Sequence, residues 1–163
     1  MRRGMPQALM QDKMITIEII AVGKIKEKFF SDAISEYSKR LSRYCKFVIT
    51  QLPDFPDSAD EMQRESQLIL PRIKGLCVPL CIEGKQLSSE ELAEFISEKS
   101  VEGVSHITFI IGGSRGIDDS VKKKADLKLS FSKMTFPHQL MRVILSEQLY
   151  RAFKIINHEN YHK

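Results

Sequence analysis

Leu129 to Gln139, read as LSFSKMTFPHQ, places three hydroxyls, a cation, a proline and a histidine within one short stretch. Ser130, Ser132 and Thr135 can donate and accept hydrogen bonds, while Leu129, Phe131 and Met134 supply apolar wall. A ligand with a flat apolar ring and several polar edges uses both kinds of group, and an adenine nucleoside is one such molecule among many. Upstream, the glycines of Gly112-Gly113-Ser114-Arg115-Gly116 lack the Cβ atoms that would keep a ligand off the backbone. It matches neither the dinucleotide fingerprint nor the P-loop, whose Lys-Ser/Thr pair is missing.

His138 follows Pro137 at the start of a helical pattern, where the positive end of the helix lowers an imidazole pKa. Arg142 lies four residues on and shares its face. Glu147, Arg151, Lys154 and His158 continue as a polar stripe, which on pattern alone reads as a solvated face. The final residues, Asn157 to Lys163, are polar, and a polar terminus is ordinarily disordered. Tyr161 with His158 and His162 is nevertheless the equipment of a segment that docks over a site.

The elements that must position these groups alternate. Ile15 to Val22 is β-branched and almost continuously apolar, the pattern of a strand covered on both faces. A helix is expected from Glu27 to Tyr44, a strand from Phe47 to Leu52, and a loop over Asp54 to Glu61. A polar helix then runs to about Ile73, disturbed at its end by Pro71. A third strand covers Val78 to Ile82. Ser88 with Glu91 three residues later makes a capping box for the next helix. Ile107 to Ile111 is a fourth strand, Asp118 to Lys124 a short helix and Leu127 to Phe131 a fifth strand. The last helix spans His138 to Ile156, and its apolar residues cover more than half its circumference. Such a helix is buried on two sides, by its own sheet and by a partner subunit. The alternation predicts one α/β domain with a mostly parallel sheet flanked by helices. In such sheets ligands bind beyond the carboxyl ends of strands, where both suspicious turns fall.

With 163 residues, the chain suits one domain with a substantial core. Residues 1 to 13 show no period and read as a loose N-terminal extension, leaving 14 to 163 as the domain. The net charge is +4, and from Leu129 onward five Lys or Arg face two Glu, so the excess gathers near the suspected site. No apolar run approaches the roughly 20 residues of a membrane span, and no signal core follows Met1. Cys45, Cys77 and Cys81 are an odd set without zinc-knuckle spacing, which argues for reduced thiols, no metal and a cytoplasmic location.

Ile19-Ile20-Ala21-Val22-Gly23-Lys24, Ile110 to Gly116, Leu129 to His138 and Glu147-Gln148-Leu149-Tyr150-Arg151-Ala152 occur in that order, and the chain ends Tyr161-His162-Lys163. The whole pattern, from about Met14 onward, resembles the ribosomal RNA large subunit methyltransferase H family of the SPOUT superfamily. The resemblance implies a C-terminal trefoil knot, which periodicity does not reveal, because knots are rare. It also implies a homodimer, S-adenosylmethionine as methyl donor, and methylation at N3 of a pseudouridine in a stem-loop of 23S rRNA on the assembled ribosome. Members of the family begin near the equivalent of Met14. The donor pocket carries over to Leu80, Gly112, Gly113, Leu129, Ser130, Phe131, Ser132, Lys133 and Met134.

For that transfer the chain must place an acceptor nitrogen in line and take up its proton or stabilise the developing anion. His138, Arg142, Tyr161 and His162 are the candidates, with the proton acceptor among them left open. Arg151 and Lys154 suit phosphate, where charge supplies affinity without reading sequence. A Rossmann-like oxidoreductase is the rival enzyme, against which the glycine spacing speaks. A non-catalytic ribosome-binding factor would explain the basic end, but not two ligand-type turns at strand ends.

Overall fold

The computed structural model describes residues 14–56 and 58–162; the expected extension over residues 1–13 lies outside them. Five parallel strands form the sheet: β1 (Thr16–Val22), β2 (Lys46–Leu52), β3 (Leu76–Gln86), β4 (His106–Ile111) and β5 (Leu129–Ser130). Their order is β2-β1-β4-β3-β5. The helices are α1 (Lys28–Leu41), α2 (Glu61–Ile69), α3 (Ser89–Val101), α4 (Asp119–Lys122) and α5 (His138–Ile156).

Alternation along β1 divides the core. Ile17, Ile19 and Ala21 face a cluster with Leu41 of α1, Leu92 and Ile96 of α3, and Leu145, Leu149 and Phe153 of α5. Ile20 and Val22 face the opposite cluster, with Ile69 of α2 and Val121 of α4. β1 is therefore covered on both sides, as its unbroken apolar run requires. The helix α5 packs against both α1 and α3. Leu140, Val143 and Ile144 remain only half-buried on its outer side.

Several boundaries differ from expectation, each for a local reason. α1 stops at Leu41, where the Tyr44 amide turns back to the Leu41 carbonyl at 2.9 Å. α2 ends at Ile69 and tightens into a 3₁₀ turn over Leu70–Arg72, because Pro71 has no N–H to continue the helix. α4 shrinks to one turn behind Asp118, whose carboxylate accepts from the Ser120 amide at 2.8 Å. β3 runs on to Gln86, with a register break between Leu80 and Lys85, both of which pair with Leu129. β5 has only two residues, since the Ser132 hydroxyl takes the Met134 amide at 3.0 Å and turns the chain out of the ladder. The capping box of α3 forms as expected: the Ser88 hydroxyl accepts from the Glu91 amide at 3.1 Å and the Glu91 carboxylate from the Ser88 amide at 2.7 Å.

Candidate active site

At the carboxyl ends of β3, β4 and β5, beside the start of α5, lies a cleft of about 840 Å³. Both turns singled out in the sequence line it. Gly112 to Gly116 form one side, closed by the Gly116 amide on the Gly113 carbonyl at 3.1 Å. Gly112 and Gly113 are required by the protein's own packing. A Cβ on Gly112 would stand 2.5 Å from the Gly116 carbonyl oxygen, and one on Gly113 2.6 Å from Glu65 Oε1.

Leu80, Leu129, Ser130, Phe131, Ser132 and Met134 join Gly112 and Gly113 in the lining, whereas Lys133 is exposed and not part of it. Met134 is 74% exposed and Ile82 50%, so the lip of the cleft presents apolar surface to solvent. Ser130 is buried and donates to the Ser132 carbonyl at 3.2 Å. Both serine hydroxyls thus shape the turn, leaving the backbone edges of the cleft for polar recognition.

His138 forms the far end of the cleft, above Gly23. Gly23 has φ +94°, and a Cβ there would stand 3.3 Å from His138 Nε2 and 3.8 Å from Arg142 Nη2. Burial, then the positive charge of Arg142, push the His138 pKa below the ordinary imidazole value; nearby Asp54 opposes them. The imidazole is therefore neutral at neutral pH and able to accept a proton.

Arg142 is only 1% exposed. Its Nη2 donates to the carbonyls of Val22 at 2.9 Å and Gly23 at 2.6 Å, and Nη1 reaches Gln51 Oε1 at 3.5 Å. The guanidinium ties α5 to the carboxyl end of β1 and holds a positive charge beside His138.

Tyr161 and His162 lie elsewhere in the chain. The Tyr161 hydroxyl donates to Glu147 Oε1 at 3.2 Å, its ring meets Tyr150 edge-on at 4.9 Å, and the Arg151 guanidinium sits 4.7 Å from its centroid. Burial and the Glu147 charge push the phenol up to about 12, so it stays protonated. His162 Nδ1 lies 3.2 Å from Arg151 Nη1 and Nε2 2.7 Å from Glu90 Oε1. An arginine can only donate, so Nδ1 accepts and Nε2 carries the proton given to Glu90. The tail is thus folded against its own chain through Arg151. That residue is roughly 20 Å along α5 from His138, at 1.5 Å per helical residue.

Arg151 and Lys154 are both engaged: Arg151 Nη2 with Glu147 at 2.5 Å, Lys154 with Glu159 at 2.7 Å. Lys24 and Lys26 are exposed on the segment between β1 and α1, and Lys28 is exposed at the start of α1. The Lys26 amide is bonded to Gln139 Oε1 at 2.9 Å, which holds this segment against the first turn of α5.

The sequence reading missed Gly23, Asp54, Glu61 and Glu65. Gly23 and Asp54 sit at strand ends with no distinguishing local pattern. Glu61 and Glu65 carried a signal, since with Ile69 they fall on one face of α2 at spacings of four. All three are buried; a carboxylate on the apolar face of a helix needs a reason.

The family model described as "Predicted SPOUT methyltransferase" matches residues 15–162. Several relatives match nearly the whole chain. "Ribosomal RNA large subunit methyltransferase H 1" of Clostridium perfringens is 50% identical over 159 residues, covering 91% of this chain and 100% of the relative. The "Ribosomal RNA large subunit methyltransferase H" of Bifidobacterium adolescentis is 54% identical over 157 residues, covering 90% and 99%. Among solved structures, a "probable methylase family protein" from Haemophilus influenzae superposes with a TM-score of 0.50 at 14% identity, covering 90% of this chain and 70% of the other. That likeness concerns the fold alone. The chain belongs to the SPOUT methyltransferases and, within them, to the ribosomal RNA large subunit methyltransferase H family.

Among the described residues no group of three or more His, Cys, Asp or Glu is placed to hold a metal ion, and no helix is long and apolar enough to cross a membrane.

Proposed function

We propose that this protein is a 23S rRNA (pseudouridine-N3)-methyltransferase that uses S-adenosylmethionine and acts as a cytoplasmic homodimer on a stem-loop of the assembled ribosome. The observation that carries this reading is the cleft itself. A turn with no room for side chains at Gly112 and Gly113, an apolar lip and a neutral histidine meet at the strand ends of a SPOUT chain whose near relatives are named ribosomal RNA large subunit methyltransferase H.

The cleft suits the donor. Its volume of about 840 Å³ lies within the range of small-molecule sites, and its walls mix apolar side chains with unhindered backbone. Leu80, Leu129, Phe131 and Met134 would enclose the adenine, while Gly112, Gly113, Ser130 and Ser132 would present polar edges; Lys133 would act from outside. The donor supplies a methyl group on a positively charged sulfur, which departs as a neutral thioether. In this reading the loops around the cleft are those of a trefoil knot.

Everything else falls to the chain. His138 Nε2 accepts the N3 proton as the new nitrogen–carbon bond forms, and the proton stays on the imidazole until solvent removes it. Burial, then the charge of Arg142, keeps that imidazole neutral beforehand, and Arg142 holds α5 in place. Tyr161, protonated, and His162 can approach a cleft only across an interface, given the length of α5 between them and His138. The half-exposed Leu140, Val143 and Ile144 offer the apolar surface such a homodimer needs. Arg151 and Lys154 contact RNA phosphate by exchanging Glu147 and Glu159 for it, while Lys24 and Lys26 supply positive charge beside His138 itself.

The test uses ribosomes from a strain lacking the gene, incubated with purified protein and methyl-labelled donor. Label is expected at one pseudouridine of 23S rRNA. If neither free large subunits nor assembled ribosomes take it up, the reading is wrong.

A further inference from the structure

Two carboxyl groups lie buried against the glycine turn, and the transfer reaction just described uses neither. Glu61 is 3% exposed and Glu65 2%, four residues apart on the inner face of α2. Glu61 is well supplied with partners: its Oε1 accepts from the Ser114 hydroxyl at 2.9 Å, and Oε2 faces Arg115 Nε at 3.4 Å. Glu65 is not. Its Oε1 has no hydrogen-bond partner although it is fully enclosed. The atom lies 2.6 Å from the point a Gly113 Cβ would occupy, so Glu65 rests directly against the turn.

Two carboxylates this close repel each other when both are charged, and burial adds a penalty for each charge. The charged groups around Glu65 do not relieve this. Glu61 stands within hydrogen-bonding reach and Asp54 adds a second negative charge; only the Gly113 amide opposes them. The nearest cation, Arg115, is on Glu61. A proton on Glu65 resolves the conflict, since it gives Glu65 a hydrogen to donate to Glu61.

We propose that Glu61 and Glu65 share a single proton beneath the glycine turn and thereby hold Gly113, Ser114 and Arg115 in the position that receives the methyl donor. Glu65 is a positioning residue, and the turn loosens when the proton leaves. Burial and the charge of Glu61 push the Glu65 carboxyl up to about 7, which puts the release near neutral pH. The sign follows: below that value the pair is singly charged and the turn is held, and above it two like charges repel under the turn. The proposal rests on the reading that the cleft binds S-adenosylmethionine.

Calorimetric titration of the full chain with S-adenosylmethionine from pH 6 to pH 9 tests it, using wild type, Glu65→Gln and Glu65→Ala. Wild-type affinity should fall as pH rises above 7, by up to about tenfold per unit, the limit for one linked proton. Glu65→Gln keeps a carbonyl for the Gly113 amide and an N–H for Glu61, so it should bind as wild type does at pH 6 and stay flat. Glu65→Ala should bind weakly throughout. A flat wild-type profile, or a Glu65→Gln profile as steep as wild type, overturns the proposal.

Should the wild type bind no donor at any pH, the reading of the cleft fails, and the proton-sharing pair is judged without ligand. Amide exchange at Gly113 to Gly116 is then compared between wild type and Glu65→Gln at equal pH, which cancels intrinsic rates. Faster wild-type exchange at pH 8.5 with equality at pH 6 supports the shared proton; equality at both refutes it.

Discussion

Arg142, in the second turn of the last helix, gives two hydrogen bonds from one nitrogen to the end of the first strand, the shorter to the Gly23 carbonyl at 2.6 Å. The two residues are far apart in sequence, and the contact makes the position of α5, and of His138 with it, depend on β1.

Removing that side chain should unfold the protein more readily. Arg142→Ala leaves the Val22 and Gly23 carbonyls without their charge-assisted partner, at a cost of about 3 kcal/mol. Urea denaturation should show the loss as a lower midpoint with an unchanged slope. Arg142→Lys should recover part of it, because an ammonium can satisfy a carbonyl but lacks the guanidinium's planar reach.

Donor binding and transfer should separate by mutation. Gly113→Trp forces a side chain into the space of Glu65 and the cleft, so calorimetry should find no saturable binding of S-adenosylmethionine. His138→Ala should bind the donor within about threefold of wild type, yet transfer methyl at least about 100-fold more slowly, the lower range for loss of a general base. Equal loss of donor affinity in both would show that the cleft does not divide in this way.

The pH–rate profile carries the signature of His138. Its folded pKa is depressed, first by burial and next by Arg142, so the base form predominates at neutral pH. Under saturating donor, turnover should be level above the ordinary imidazole value of about 6.5 and fall only at lower pH. The same depression means that the unfolded chain binds the proton more readily. Stability contributed here is therefore present above that ordinary value and lost as pH falls below it.

Lys24 and Lys26 should guide RNA without touching the donor. Charge reversal, Lys24→Glu with Lys26→Glu, should raise KM for ribosomes and flatten its dependence on salt, because two fewer phosphates are neutralised. The affinity for S-adenosylmethionine should be unchanged by calorimetry. Unaltered KM and salt slope would place the RNA elsewhere, with Arg151 and Lys154 as the remaining contacts.

Much of this arrangement was legible in the sequence. The limits of α5, the capping box at Ser88 and the placement of both turns at strand ends all followed from periodicity and turn chemistry. What escaped was whatever depended on contacts between distant segments. Asp54 and Gly23 become neighbours of His138 only through the sheet order, and Glu65 meets Gly113 only because α2 crosses the end of β4. Arg142 was legible as a candidate on the helix face of His138, but not as a buried residue. Its burial reflects two carbonyl acceptors at the end of β1, which no local pattern announces.

The register break in β3 has a bearing on how such a cleft could diversify. Leu80 and Lys85 both stand opposite Leu129, so the intervening residues leave the ladder, and Cys81, Ile82 and Glu83 border the opening. Residues outside a ladder can be gained, lost or exchanged without flipping the inward and outward alternation of the strand. Gly84 is the exception, because a side chain there would come within 2.8 Å of the backbone at Lys128 and Leu129. Evolution therefore has three consecutive positions at the mouth of the site where it can try new shapes and charges while the sheet beneath stays in register.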